Sequence, residues 1–200
     1  MSNSRRYNKL VSRINLLEIH LLPNVKISGN YTKRESDLIR SYVLLAHAEI
    51  ESFFEEIALV KIQKALAKWS LNRTKSNCLL SVMSFCAGEI NWDSIPNTNK
   101  DKLSFRINRI VTHYINKLDS NHGIKSNHIY NILLPIGVEE HQIDNTWLST
   151  MDNFGARRGS IAHSTISAQN QIDLVTERNN INNNILPTIR DLDLIIKGIK

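Results

Sequence analysis

The chain has 200 residues, 42% of them hydrophobic, enough to bury a core and better suited to one domain than to two. Its formal charge of +6 favours polyanionic partners without requiring one, because lysines and arginines also solvate ordinary helix faces. No apolar run approaches the roughly eighteen residues of a membrane helix, and Met1 to Arg6 lacks the order of a signal peptide, so a cytoplasmic protein with no membrane span is expected.

Seven Gly, four Pro and no strand-like alternation predict an all-α chain. A first amphipathic helix is expected from about Arg6 to Leu22, where Leu10, Ile14, Leu17 and Leu21 recur at helical spacing and Pro23 stops the pattern. Ser28-Gly29-Asn30 then marks a turn. The longest signal runs from about Thr32 to Trp69 without Gly or Pro, and Thr32 with Glu35 forms a capping box at its start. A short apolar helix over Asn77 to Ala87 carries Cys78 and Cys86, read as buried thiols because no second pair stands near them.

Asp101 to Leu118 reads as the next amphipathic helix, and His128 to Leu134 as a short one ended by Pro135. From about Glu139 the residues Ile143, Trp147, Met151 and Phe154 restore helical periodicity and lead into Arg157-Arg158-Gly-Ser-Ile-Ala-His163, late on the helix or just beyond it. The last element, about Asp173 to Lys200, is predicted as one helix kinked at Pro187, with isoleucines interleaving its asparagines at helical spacing.

The string Phe154-Gly-Ala-Arg157-Arg158-Gly-Ser-Ile-Ala-His163-Ser-Thr165 resembles the signature of the HEPN superfamily, an arginine followed after four to six residues by a histidine. The form Arg-Arg-Gly-x-Ile-Ala-His is similar to HEPN domains of the RiboL-PSP type, small helical bacterial proteins met in stress and defence settings. Upstream, Ala46-His-Ala-Glu49-Ile-Glu51-Ser-Phe-Phe54 looks like the early helix of that group. The resemblance covers about Thr32 to the C-terminus, giving a domain over 31–200 and leaving 1–30 as a helix and loop, packed on that domain or partly flexible. It implies a helical bundle with a long central helix and short peripheral ones. The implied activity is metal-independent RNA cleavage, with no cofactor, in a homodimer acting as a toxin or anti-phage defence effector beside an antitoxin or defence partner.

RNA carries its own nucleophile in the 2′-hydroxyl, so a site needs a proton acceptor, a proton donor and a cation for the phosphorane. Histidine serves either proton role near neutrality, and arginine presents a charged fork to phosphate oxygens. Arg158 and His163 are therefore the expected catalytic pair, with a 2′,3′-cyclic phosphate and a 5′-hydroxyl as products. Arg157, Ser160, Thr165 and Glu51 are candidate substrate-binding residues. Arg157 either contacts phosphate or adds basic charge, and Glu51 either orients a motif side chain or forms a solvated ion pair.

In a straight helix, positions five apart diverge by about 140°. The pair converges only if Gly159 ends or bends the helix, or if a two-fold dimer sets two motifs face to face. Many HEPN motifs have a polar residue where Gly159 stands. The competing reading is a non-catalytic module that binds RNA, nucleotide or a partner protein, and a plain surface helix ending in a histidine remains open.

His113, His122 and His128 lack metal-site spacing and are expected in exposed loops. Lys100, Lys102, Arg106 and Arg109 form either a phosphate-binding stripe or a solvated face. Trp69, Trp92 and Trp147 read as core or interface residues.

Overall fold

The computed structural model describes residues 2–27, 29–95, 102–163 and 172–200, and every regular element among these is helical. Helix α1 spans Arg5–Leu21, with Ser4 as its cap: the Ser4 hydroxyl accepts from the Tyr7 amide at 3.0 Å, and the Ser4 amide donates to the buried Asp193 carboxylate at 2.7 Å. The predicted stripe is buried at Leu10, Ile14 and Leu17, with Tyr7 added, and half-buried at Leu21.

Helix α2, Lys33–Asn72, begins at the expected capping box. The Thr32 amide donates to Glu35 Oε2 at 2.7 Å, and the Glu35 amide returns to Thr32 Oγ1 at 3.3 Å. Lys26 joins them at 2.6 Å, and together with the Thr32 bonds it holds the Glu35 carboxyl down to about 2. The helix ends where Arg73 turns left-handed at φ 58°, its amide reaching back to the Trp69 carbonyl and its guanidinium lying 4.3 Å over the Trp69 ring.

Next come α3 (Asn77–Cys86), short 3₁₀ turns at Ala87–Glu89 and Trp92–Ser94, α4 (Leu103–Asp119) and α5 (Ser126–Leu133). A further 3₁₀ turn, Glu140–Gln142, precedes α6 (Asn145–His163). α6 starts later than periodicity predicts because the Asp144 carboxylate accepts from the Trp147 amide at 2.6 Å and so acts as the cap.

The C-terminal segment is continuous but not uniform: α7 (Leu174–Asn179), a π-helical stretch (Asn180–Ile185) and α8 (Leu186–Gly198). Pro187 lacks an amide hydrogen, and its ring crowds the preceding turn. The Leu186 amide bonds to Ile181, five residues back, so the regular helix is interrupted by a widened turn just before the proline.

The chain groups into two compact units. The first comprises Met1–Phe53, Gly123–Ser126 and Ile143–Leu194, the second Phe54–His122, Asn127–Gln142 and Ile195–Lys200. In the first, Ile14, Tyr42, Ile50, Phe154 and Ile185 are fully buried. There Glu18 ties α1 to the C-terminal segment, accepting from Arg178 at 2.9 Å and Asn182 at 2.6 Å. In the second, α3 packs on α4 over Cys78, Val82 and Tyr114, and the Tyr114 hydroxyl donates to the Ile132 carbonyl at 2.7 Å. Both cysteines are buried free thiols. None of the described helices is long and apolar enough to cross a membrane.

Candidate functional site

The Arg158 and His163 segment belongs to the first unit and lies on α6 itself. One face of α6, made of Trp147, Leu148, Met151, Phe154 and Gly155, is buried, and the Trp147 indole N–H donates to the Ile185 carbonyl at 3.3 Å. The segment before α5 crosses α6 at close quarters. Asp152 accepts from the Ser126 amide at 2.7 Å and from its hydroxyl at 2.6 Å. At Gly155 the Lys125 stem runs so near that a Cβ would stand 2.9 Å from Lys125 Cγ, which is why a glycine fits there. Behind α6, the His47 ring of α2 lies 5.8 Å from the Phe154 ring.

With its middle fixed in this way, α6 carries the motif on its last two turns. It continues helical through Gly159 to His163, so the helix does not end at that glycine. Tertiary packing of the preceding turns outweighs a propensity deficit of about 1 kcal/mol. Arg158 and His163 are thus about 7.5 Å apart along the axis and diverge by roughly 140°. Both are exposed, as is Ser160.

The two arginines have different surroundings. The Arg157 guanidinium donates to Glu177 Oε1 on α7, and Glu177 is only 2% exposed. Arg157 is therefore the counter-ion of a buried carboxylate, a role that the sequence left between phosphate contact and bulk charge. Arg158 has no such partner among the described residues and keeps its donor fork toward solvent. Glu177 was missed by the sequence reading because it stands 20 residues from Arg157, with no local spacing to betray the pair.

Glu51 lies on α2, one turn from buried His47, with its carboxylate 3.5 Å from His47 Nδ1. It approaches the motif helix only through His47 and Phe154, and no bond joins it to Arg158 or His163 among the described residues. Thr165 and Lys100 lie outside the described residues. No group of three or more His, Cys, Asp or Glu side chains placed to hold a metal occurs among the described residues.

Two of the histidines expected in loops are on helices instead. His113 sits on α4 with Nε2 2.8 Å from Glu89, and His128 sits on α5. Trp69 and Trp147 are core residues, while Trp92 is half-buried with the Arg106 guanidinium 5.5 Å from its ring.

No curated protein and no solved structure matches the chain. The family described as RiboL-PSP-HEPN does match, over residues 8–198, so the similarity takes in most of α1 as well as the region from Thr32 onward. With an all-α architecture, an Arg158-x4-His163 motif on the exposed end of a helix, and a family match along nearly its whole length, the chain belongs to the RiboL-PSP-HEPN family of the HEPN superfamily.

Proposed function

We propose that the chain is a metal-independent, cofactor-free endoribonuclease in which His163 moves the proton and Arg158 holds the scissile phosphate. The observation that carries this reading is the division between the arginines: Arg157 neutralises buried Glu177, whereas Arg158 stays exposed beside an exposed His163. In the reaction the RNA 2′-oxygen bonds to phosphorus as its proton passes to a base. The P–O5′ bond breaks, and the leaving oxygen takes a proton to become a 5′-hydroxyl. Arg158 offsets the charge that gathers on the non-bridging oxygens.

The unbroken helical run of α6 through Gly159 favours a composite site. Residues 140° apart on one helix do not converge on one phosphate, but a two-fold pair of α6 ends brings Arg158 of one copy toward His163 of the other. The working form in this reading is a cytoplasmic homodimer, acting as a toxin or anti-phage effector and restrained by an antitoxin or defence partner. Arg157, Ser160, Thr165 and Glu51 are assigned supporting roles, with Arg157 and Glu51 acting by position and not by phosphate contact.

A second reading, a HEPN module that binds RNA, nucleotide or a partner protein without cutting, draws on Gly159. Among the described residues nothing lies within 4 Å of where a Cβ would stand at that position, so none of them supplies a polar side chain next to the arginine in place of the missing one. Incubating the purified protein with mixed RNA in excess EDTA, beside His163→Ala and Arg158→Ala, separates the two. Fragments ending in 2′,3′-cyclic phosphate from wild type alone support the enzyme. RNA that is bound but left whole by wild type supports the module. Growth arrest on induced expression, relieved by His163→Ala, is the expected cellular counterpart.

A further inference from the structure

Helix α4, in the second unit, carries a one-sided row of cations remote in sequence from the motif. At 100° per residue, Arg106, Arg109, His113 and Lys117 fall within an arc of roughly 80° and extend about 16 Å along the axis, with exposed Lys102 just before the helix starts. The opposite face of the same helix is the buried one, with Ile107, Ile110, Val111, Tyr114 and Leu118. The acidic residue of α4 itself, Asp119, projects outside the arc. One carboxylate, Glu89, does meet the row, bonding Lys117 at 2.8 Å and His113 at 2.8 Å. Lys102 and Arg109 have no counter-ion among the described residues, and Arg106 rests against the Trp92 ring, whose neighbour Asp93 is exposed.

The row runs into a pocket. Beyond Lys117, the end of α4 and the first turns of α5 enclose an open cavity of about 340 Å³, lined by Asn121, His122, Asn127, His128 and Asn131 and by no carboxylate. Such a lining is too polar to suit an apolar ligand. Amides and imidazoles offer donors and acceptors side by side, which is the chemistry that reads the edge of an unstacked base, while the cations upstream suit a phosphate backbone. Base pairing would hide that edge, so the combination fits a single strand.

We propose that the second unit is a binding surface for single-stranded RNA, with phosphates following Lys102, Arg106 and Arg109 along α4 and a base entering the Asn121–Asn131 pocket. This proposal does not depend on cleavage at the α6 motif. Trp92, half-buried beneath Arg106, sets the guanidinium's direction.

The test uses the full chain carrying His163→Ala, so that RNA stays intact, and a fluorescein-labelled single-stranded RNA of mixed sequence, with anisotropy read across a salt series. Removing two phosphate contacts by Arg106→Ala with Arg109→Ala is expected to weaken binding and to reduce the slope of log affinity against log salt by about 1.4. Asn127→Ala with Asn131→Ala is expected to weaken binding several-fold at an unchanged slope, because amide contacts release no counterions. A matching duplex should compete poorly. Thermal melts of each variant verify that it is folded. The proposal is overturned if the α4 variant binds with unchanged affinity and slope. It is equally overturned if Lys64→Ala with Lys68→Ala, which removes two exposed cations of α2, lowers affinity and slope as much. Because binding is read in a variant blocked at the motif, wild-type RNA that is never cut would count against the enzyme and leave this surface standing.

Discussion

Replacing Arg157 by Ala tests whether the adjacent arginines divide structure from chemistry. The substitution leaves the Glu177 carboxylate, 2% exposed, without its cation. Breaking a fully buried ion pair typically costs about 3–5 kcal/mol. Arg157 is itself 38% exposed, so solvent screens part of the attraction, and a loss of about 2–3 kcal/mol is the reasoned value. For a chain of this length that lowers Tm by roughly 5–10 °C. Arg158→Ala, at an exposed position, should move Tm by about 1 °C or less while abolishing cleavage. Circular-dichroism melts give the first quantity and gel assays on RNA the second. In a double-mutant cycle, Arg157→Ala with Glu177→Leu should recover much of the loss, because it is the lone buried charge that destabilises. Equal melting of wild type and Arg157→Ala, or a comparable drop for Arg158→Ala, would refute the assignment.

Two glycines of α6 should respond in opposite directions. Gly159→Ala meets none of the described residues within 4 Å and should stabilise by about 1 kcal/mol through helix propensity, raising Tm by a few degrees. Gly155→Ala forces its new methyl to 2.9 Å from Lys125 Cγ, an overpacking of about 1–3 kcal/mol that outweighs the propensity gain of about 1 kcal/mol, and should destabilise by up to about 2 kcal/mol net, an effect relieved when Lys125→Ala is added; a substitution as stabilising as Gly159→Ala would contradict the packing described. Burial in the second unit pushes the Cys78 thiol up to about 11. Since the unfolded thiol ionises near 9, the unfolded state holds fewer protons between those values, and stability present below pH 9 is lost as pH rises toward 11. The loss is about 2 kcal/mol and should be absent in Cys78→Ala; denaturant titrations at pH 8 and pH 10.5 check it.

Much of the fold was legible because its signals are local. The capping box at Thr32 and Glu35, the apolar stripe of α1 and the unbroken run of α2 each lie within a few residues, and each is observed. The late start of α6 was hidden by periodicity extending back to Ile143, and only the Asp144 cap bond settles it. At Pro187 sequence rules give a break but not its form. The π turn keeps both of its isoleucines, Ile181 and Ile185, buried. Gly159 shows the same limit, since local propensity allows the helix to end there while packing of Phe154, Gly155 and Asp152 one turn earlier carries it on to His163. Within the motif, the residue types and spacing were readable. The partner that sets Arg157 apart from Arg158 was not, because Glu177 comes close only in the folded chain.

The central claim, that RNA is cut by Arg158 of one copy together with His163 of another, is tested most directly by mixing two inactive proteins. Arg158→Ala and His163→Ala should each be inactive alone. Co-refolded in equal amounts, half of the dimers become mixed, and each mixed dimer holds one intact Arg158 and His163 pair across the interface. Cleavage at about a quarter of the wild-type rate is predicted. No recovery in a mixture shown to form mixed dimers would contradict the account.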